Sequence, residues 1–246
     1  MRILLVNHET AGDWGGGDGV QMQETGKRLH QRGHEVIAVN SDNPKVRGFD
    51  LVHIFNCRVE RSFTKQMECC RNENVPVVVS PIWMSLARAI WGSRGALSVL
   101  NHGIQCGESS ITSLMNKLER RELAVNLGDS IAYSDGRDGS WPLNRHTIRD
   151  LLREADGLLP NSLLELQSIR NDLQWDGDCF EIAHYGVDPA LFLDADPNPF
   201  RKHTQIQGPF VMQAGRIEPS KNQAMLCWAL KDTNMPIVLI GSKKHW

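Results

Sequence analysis

What most constrains this chain is a set of short aliphatic runs without polar alternation. They lie at residues 3–6, 36–39, 51–54, 77–79, 158–159, 181–183, 210–214 and 237–240. A strand with one wet face alternates apolar and polar residues, whereas a strand covered on both faces reads as a continuous run of Val, Ile and Leu. Strands of the second kind belong to parallel sheets. The polar, helix-like stretches between most of these runs are long enough for the crossovers that parallel pairing requires. The expected fold class is therefore α/β, doubly wound, with helices on both faces of the sheet.

The chain has 246 residues, 41% of them hydrophobic, which allows a sizeable core. Its 27 basic and 29 acidic residues leave a net charge of −2, so overall charge makes no case for nucleic acid or a membrane as partner. The charge is uneven, however. Residues 1–190 carry 20 basic and 25 acidic side chains, and residues 191–246 carry 7 and 4, so the last stretch is the better place for an anion. The apolar opening, Met1 to Val6, gives way at once to Asn7, His8 and Glu9 and is too short for a signal-peptide core. No apolar run approaches the roughly 20 residues of a membrane span. Cys57, Cys69, Cys70, Cys106, Cys179 and Cys227 form no C-x-x-C and no zinc spacing, and they read as structural thiols. The expected location is the cytoplasm. Lys117, Arg120 and Arg121, on a helix expected at 113–127, are the one group suited to peripheral contact with anionic lipid at the inner membrane face, and a solvated helix face is their simpler reading.

Three helix starts carry capping-box spacing: Asp18 with Gln21, Ser162 with Glu165, and Ser220 with Gln223. After Ser162, Leu163, Leu166, Ile169 and Leu173 recur at helical spacing and form one apolar face. Residues 193–208 are polar, contain two prolines, and read as a linker.

Two loops could carry chemistry. Gly15, Gly16, Gly17, Asp18 and Gly19 lie between the first strand and the first helix. Glycines let a ligand approach backbone N–H groups, and a helix N-terminus favours an anion. The alternative is a plain strand-to-helix turn in which Asp18 occupies the positive helix end itself. The loop is not a dinucleotide fingerprint, because Val20 and Met22 stand where a third glycine is needed. No P-loop and no G-x-S-x-G elbow occurs. The second loop runs from Gly215 and Arg216 through Ile217, Glu218 and Pro219 to Ser220, Lys221 and Asn222, and it leaves the strand at 210–214. If Ser220 caps the next helix, Lys221 sits in its first turn, where a cation opposes the helix dipole unless an anion lies nearby. Arg216 as a fork and Lys221 as a point charge would suit a diphosphate; two solvated surface charges are the alternative. The D-x-D patterns at Asp194 and Asp196, and at Asp176 and Asp178, read as turn residues rather than metal ligands. Of the histidines, His8, His53, His102 and His184 invite attention, three of them at expected strand ends, where α/β proteins bind ligands.

Taken in order, these motifs resemble retaining glycosyltransferases of family 4, the group 1 sugar transferases with the GT-B fold. The match runs through the opening strand and the loop Gly15, Gly16, Gly17; then Arg32-Gly33-His34-Glu35-Val36 and Asp50-Leu51-Val52-His53; then Ala155-Asp156-Gly157-Leu158-Leu159-Pro160-Asn161-Ser162; then Tyr185-Gly186-Val187-Asp188-Pro189-Ala190-Leu191-Phe192; and finally Ala214-Gly215-Arg216-Ile217-Glu218-Pro219-Ser220-Lys221. The resemblance implies two Rossmann-like domains facing a cleft, an acceptor-side domain at 1–193, a linker at 194–208, and the first β-α-β of a donor-binding domain at 209–246. It implies transfer of a hexose from a nucleotide-sugar to a glycan, lipid or small-molecule acceptor, with retention. The nucleotide-sugar would be a co-substrate, and neither a cofactor nor a metal is expected. Arg216 and Lys221 would hold the donor diphosphate, and Gly15, Gly16 and Gly17 would lie near that diphosphate or the acceptor. No residue is assigned to catalysis.

The sequence departs from the family in three places. Ser80-Pro81-Ile82-Trp83 stands where members usually carry a histidine, and Tyr185 stands in place of a more usual Asn. The sequence stops before the paired-glutamate motif, which leads to the expectation of a fragment that is inactive alone. The competing expectation is a non-catalytic α/β module that binds an anionic ligand or, through the strand at 237–240, a partner chain.

Overall fold

The structure is a computed structural model that describes residues 1–11, 16–84, 145–217 and 221–242. They form two compact units, one of residues up to 84 together with 145–186, the other from residue 187 onward. The expected helix at 113–127, with Lys117, Arg120 and Arg121, lies outside the described residues, as do His102, Cys106 and Gly15.

The first unit runs β1 (Arg2–Asn7), α1 (Gly17–Gln31), β2 (Glu35–Asn40), β3 (Leu51–Phe55), α2 (Glu60–Glu73), β4 (Val77–Ser80), α3 (Arg145–Glu154), β5 (Gly157–Leu158) and α4 (Leu163–Leu173). Its five strands form one sheet in the order β2-β1-β3-β4-β5, every pair parallel. Leu4 stands opposite Ile37 on one side and Val52 on the other, and Val6 opposite Val39 and Ile54. The expected α/β class with helices flanking a parallel sheet is what the chain adopts.

Burial follows from position in the sheet. In β1, residues 3–7 are all buried, as the unbroken apolar run requires. The edge strand β2 is half-exposed, with Ile37 in contact with water. Since β1-α1-β2 and β3-α2-β4 move along the sheet in opposite directions, right-handed crossovers place α1 and α2 on opposite faces. On the α1 face Ile3, Leu5, Met22 and Phe55 form a core closed by Leu29, Val36, Leu51 and Ile82. On the other, α2 packs against α3, and Phe63, Met67, Ile148, Leu151 and Leu152 are buried there.

The apolar run at 181–183 is not a ladder strand. The chain after α4 only touches β5, through a bridge from Leu158 to Phe180 and bonds from Glu181 N to Leu158 O (3.0 Å) and Ala183 N to Pro160 O (2.8 Å). A two-residue β5 offers no longer edge to pair with.

Helix starts differ in how well their caps can be read. Ser162 caps α4, its Oγ accepting from Glu165 N. By contrast α1 begins before Asp18: Gly16 is the cap residue and Asp18 lies in the first turn.

The second unit contains a 3₁₀ turn (Pro189–Leu191), α5 (Asn198–Thr204), β6 (Val211–Ala214), α6 (Gln223–Ala229) and β7 (Ile237–Ile240). The strands β6 and β7 pair in parallel, Val211 opposite Ile237 and Ala214 opposite Ile240. The polar stretch at 194–208 holds α5, started by Asp196 Oδ1 accepting from Asn198 N (2.9 Å) and followed by the Phe200–Phe210 stack.

Candidate functional site

Strand order in the first unit reverses between β1 and β3. Their crossovers diverge there, and the carboxyl ends at such a switch point are where open α/β sheets take ligands. Asn7 and His8 leave β1 at this point, Asn56, Cys57 and Arg58 leave β3, and α1 begins above them.

Asp18 is the centre of this edge. Its Oδ1 accepts from Gly19 N (3.0 Å), and its Oδ2 accepts from Asn56 Nδ2 (3.1 Å) and lies 3.3 Å from His8 Nε2. His8 Nδ1 is in turn 3.0 Å from Thr10 Oγ1. Burial pushes the Asp18 carboxyl up, but the hydrogen bonds from His8, Asn56 and Gly19 outweigh it and hold the group well below the usual carboxylate range. Asp18 is thus an anion at the positive end of α1, where it offsets the helix dipole. Arg58 lies within its field. Burial pulls the Arg58 guanidinium down, partly offset by its electrostatic interactions with Cys57 and with the Asp18 carboxylate.

A second polar group stands at the carboxyl ends of β4 and β5. Glu165, in the first turn of α4, is buried and accepts from Trp83 N and Asn161 N, joining the loops that follow the two strands. Burial raises its pKa, partly offset by those two backbone donors. Asn161 Nδ2 donates to Tyr185 Oη (3.1 Å), and His184 Nδ1 lies 3.1 Å from Asn161 O. Burial first, and the Glu165 charge second, push the Tyr185 hydroxyl up. Two residues on this edge, Asn56 (φ 72°) and Ile82 (φ 50°), hold left-handed backbone. For Asn that is tolerable; for a β-branched Ile it is strain, held by Asn56 N bonding Ser80 O (2.9 Å) and Cys57 N bonding Pro81 O (3.1 Å).

The expected histidines separate. His8 is on the β1–β3 edge and His184 beside β5. His53 is buried within the sheet, stacked on Phe55 and 2.9 Å from Ser80 Oγ. Burial pulls its pKa down to about 3, so it is a neutral core group.

In the second unit, the chain leaving β6 passes through Gly215 and Arg216 and returns through Lys221 to α6. Asn222 (φ 57°) precedes α6, so Lys221 lies just before the helix instead of in its first turn; Ser220 lies outside the described residues. Two glutamines brace the turn: Gln213 Nε2 donates to Lys221 O (2.7 Å), and Gln223 Nε2 to Arg216 O (2.8 Å). Lys221 folds its stem back so that Cδ lies 4.0 Å from where a Cβ on Gly215 would stand. The turn is tied to the end of β7 by Gly215 N to Ile240 O (2.8 Å) and Ile217 N to Ser242 O (3.0 Å). A Cβ on Gly241 would stand 1.9 Å from Gly215 O, so only glycine fits.

Of the expected site residues, Gly16 and Gly17 open α1 on the β1–β3 edge, and Arg216 and Lys221 flank one braced turn. The residues that sequence reading missed are Asn56, Arg58, the bonds of Asp18 to His8 and Asn56, and Glu165 as a tie between two loops. Asn56 and Arg58 follow a strand at the point where strand order reverses, a signal that requires the order itself. Asp176 pairs with Arg153 and Asp196 starts α5, as turn residues do. Among the described residues no three His, Cys, Asp or Glu side chains gather as metal ligands, and no helix is long and apolar enough to cross a membrane. An open groove of about 740 Å³ runs along α5, but Arg201 on its wall is engaged with Ile206 O and Gln207 O and Asp196 with Asn198 N.

No protein-family model matches the chain, and a search of curated proteins finds no relative.

Proposed function

We propose that the chain is part of a retaining glycosyltransferase that moves a hexose from a nucleotide-sugar to a glycan, lipid or small-molecule acceptor. The observation that carries this reading is the braced turn after β6. It is a glycine-led strand-to-helix turn with Arg216 and Lys221 at its two ends, held by Gln213, Gln223 and the end of β7. As the sugar leaves, the nucleoside diphosphate gains charge. Two cations carried on one turn would stabilise that charge, Arg216 as a planar fork and Lys221 as a point charge. The positive balance of residues 191–246 favours the same ligand. On the first unit, Gly17 at the start of α1 has open space beside it, and hydrogen-bonding side chains along the strand ends suit a hydroxyl-bearing acceptor. No metal is needed where the diphosphate meets two cations.

Titrating uridine and guanosine diphosphates against the full chain and against Lys221→Ala tests this. The reading expects binding that weakens about tenfold or more in the variant. Binding that ignores the substitution favours the second reading, an anion- or partner-binding α/β module, for which the half-exposed Leu239 and Ile240 of β7 speak.

A further inference from the structure

The start of α1 should attract phosphate, yet Asp18 already occupies it. What the fold leaves unsatisfied nearby is of both hydrogen-bonding kinds. Asn7 is fully buried at the end of β1. Its Oδ1 accepts from His8 N (2.9 Å), and its Nδ2 has no partner. The two-residue alternation it shares with Ile3 and Leu5, which pack on Met22, turns it toward α1. Arg58 Nε is a second buried donor without a partner. Gln21, three residues after Asp18 on the same side of α1, has a buried Oε1 with nothing to accept from. Buried polar groups are rarely left unpaired, because each costs the fold its full desolvation.

We infer that the β1–β3 edge, with Asn7, Asp18, Gln21 and Arg58, binds a neutral polyhydroxylated group and excludes a phosphorylated one. A hydroxyl both accepts and donates, so a polyol can answer Asn7 Nδ2 and Arg58 Nε as well as Gln21 Oε1 and a free lone pair of Asp18. The phosphoryl group of a phosphate monoester dianion only accepts. It leaves Gln21 unmet and faces the Asp18 carboxylate at the helix end it would need. The Asp18 carboxylate, kept ionised by its hydrogen bonds, puts a negative charge at the helix end that an anion would have to face. This inference rests on the sugar-transfer reading in taking the polyol to be the acceptor; it makes that acceptor unphosphorylated at the group bound here.

The test is a titration of the full chain with glucose, mannose and myo-inositol, and in parallel with glucose 6-phosphate and inorganic phosphate, followed by amide chemical shifts. At least one neutral probe is expected to move the Asn7, His8 and Asp18 amides, with the phosphates binding about tenfold weaker or not at all. Asp18→Asn keeps a hydrogen-bonding side chain in place, and it should raise inorganic phosphate affinity about tenfold and weaken the neutral probe. Gln21→Ala removes an oxygen that bonds nothing in the fold, so it should leave the melting temperature unchanged or higher while weakening the neutral probe several-fold. Phosphate binding as tight as the polyols in the wild type, no neutral probe moving these amides, or either variant leaving the preference unchanged would overturn the inference. The nucleoside diphosphate titration against Lys221→Ala reads the other unit, so the acceptor inference and the transferase reading can fail separately.

Discussion

In the first unit Leu5, Val6, Val52, Ile54, Phe55, Phe63 and Ile148 are sealed from water, whereas in the second Met212 and Met225 are more than half exposed and Ile240 nearly half. Among the described residues of the second unit only Gln223 is buried, and its amide braces the turn after β6. A five-stranded sheet covered on both faces gains its stability from apolar area removed from water, about 25 cal/mol per Å². Two strands of four residues have little such area. The second unit therefore depends on local hydrogen bonds and backbone fit, at Gln213, Gln223 and Gly241. The edges contrast in charge as well. At α1 the protein's own carboxylate fills the helix end, while Arg216 and Lys221 bring two cations to one turn.

That contrast can be broken most sharply by cutting the first core. Phe63→Ala should cost about 3–5 kcal/mol in urea unfolding followed by the buried Trp83 and Trp175. A much smaller loss would mean that the two faces of the sheet do not carry the unit. Next in size is Glu165→Gln. One amide oxygen cannot accept from both Trp83 N and Asn161 N, and the amide NH₂ meets a donor, so about 1–3 kcal/mol should be lost in the same measurement. A neutral outcome would remove Glu165 as the tie between the β4 and β5 loops.

The pH dependence comes third. His53 stays neutral in the fold with its pKa down to about 3, whereas the unfolded chain takes up a proton near 6.5. Between those values the unfolded state binds more protons, so stability should fall as pH drops from about 6.5 toward about 3. The slope is at most ~1.4 kcal/mol per pH unit, and the stability is fully present above 6.5. His53→Gln should keep a bond to Ser80 and flatten this slope; an unchanged slope would place the proton uptake elsewhere. The smallest expected effect is Met225→Ala in the second unit, about 0.5 kcal/mol or less, with amide exchange in β6 and β7 already faster than in β1 and β3. Protection in β6 equal to that in β1 would erase the distinction between the units.

Much of the architecture was legible because burial on both faces leaves an unambiguous trace. Leu4, Val6, Val52, Ile54 and Val79 all sit in strands where continuous apolar runs demand them, and Ser162 caps α4 as its spacing suggests. For two helices the sequence pattern yields a helix-like stretch without bounds, although their apolar faces are present in it. Ile148, Leu151 and Leu152 in α3, and Phe63, Met67 and Cys70 in α2, recur at helical spacing and are buried. The candidate sites were only half legible. Asp18 was recognised as a helix-start residue, but its bonds to Asn56 and His8 span 38 and 10 positions and exist only once β1 and β3 are side by side. Glu165 reaches Trp83 across 82 positions for the same reason. Lys221 was expected within a helix turn; Asn222 in left-handed backbone starts α6 later, a choice of φ that residue type alone does not dictate.

The account depends above all on the turn after β6 being a diphosphate clamp. Its most direct test is the amide spectrum of the full chain during titration with uridine or guanosine diphosphate, for the wild type and for Arg216→Ala/Lys221→Ala. The account predicts shifts centred on Gly215, Arg216, Lys221 and Gln223 that vanish in the double variant, with Asp18 and Gly19 unmoved. Shifts that persist in the double variant, or that fall at the start of α1 and leave the turn untouched, would contradict it.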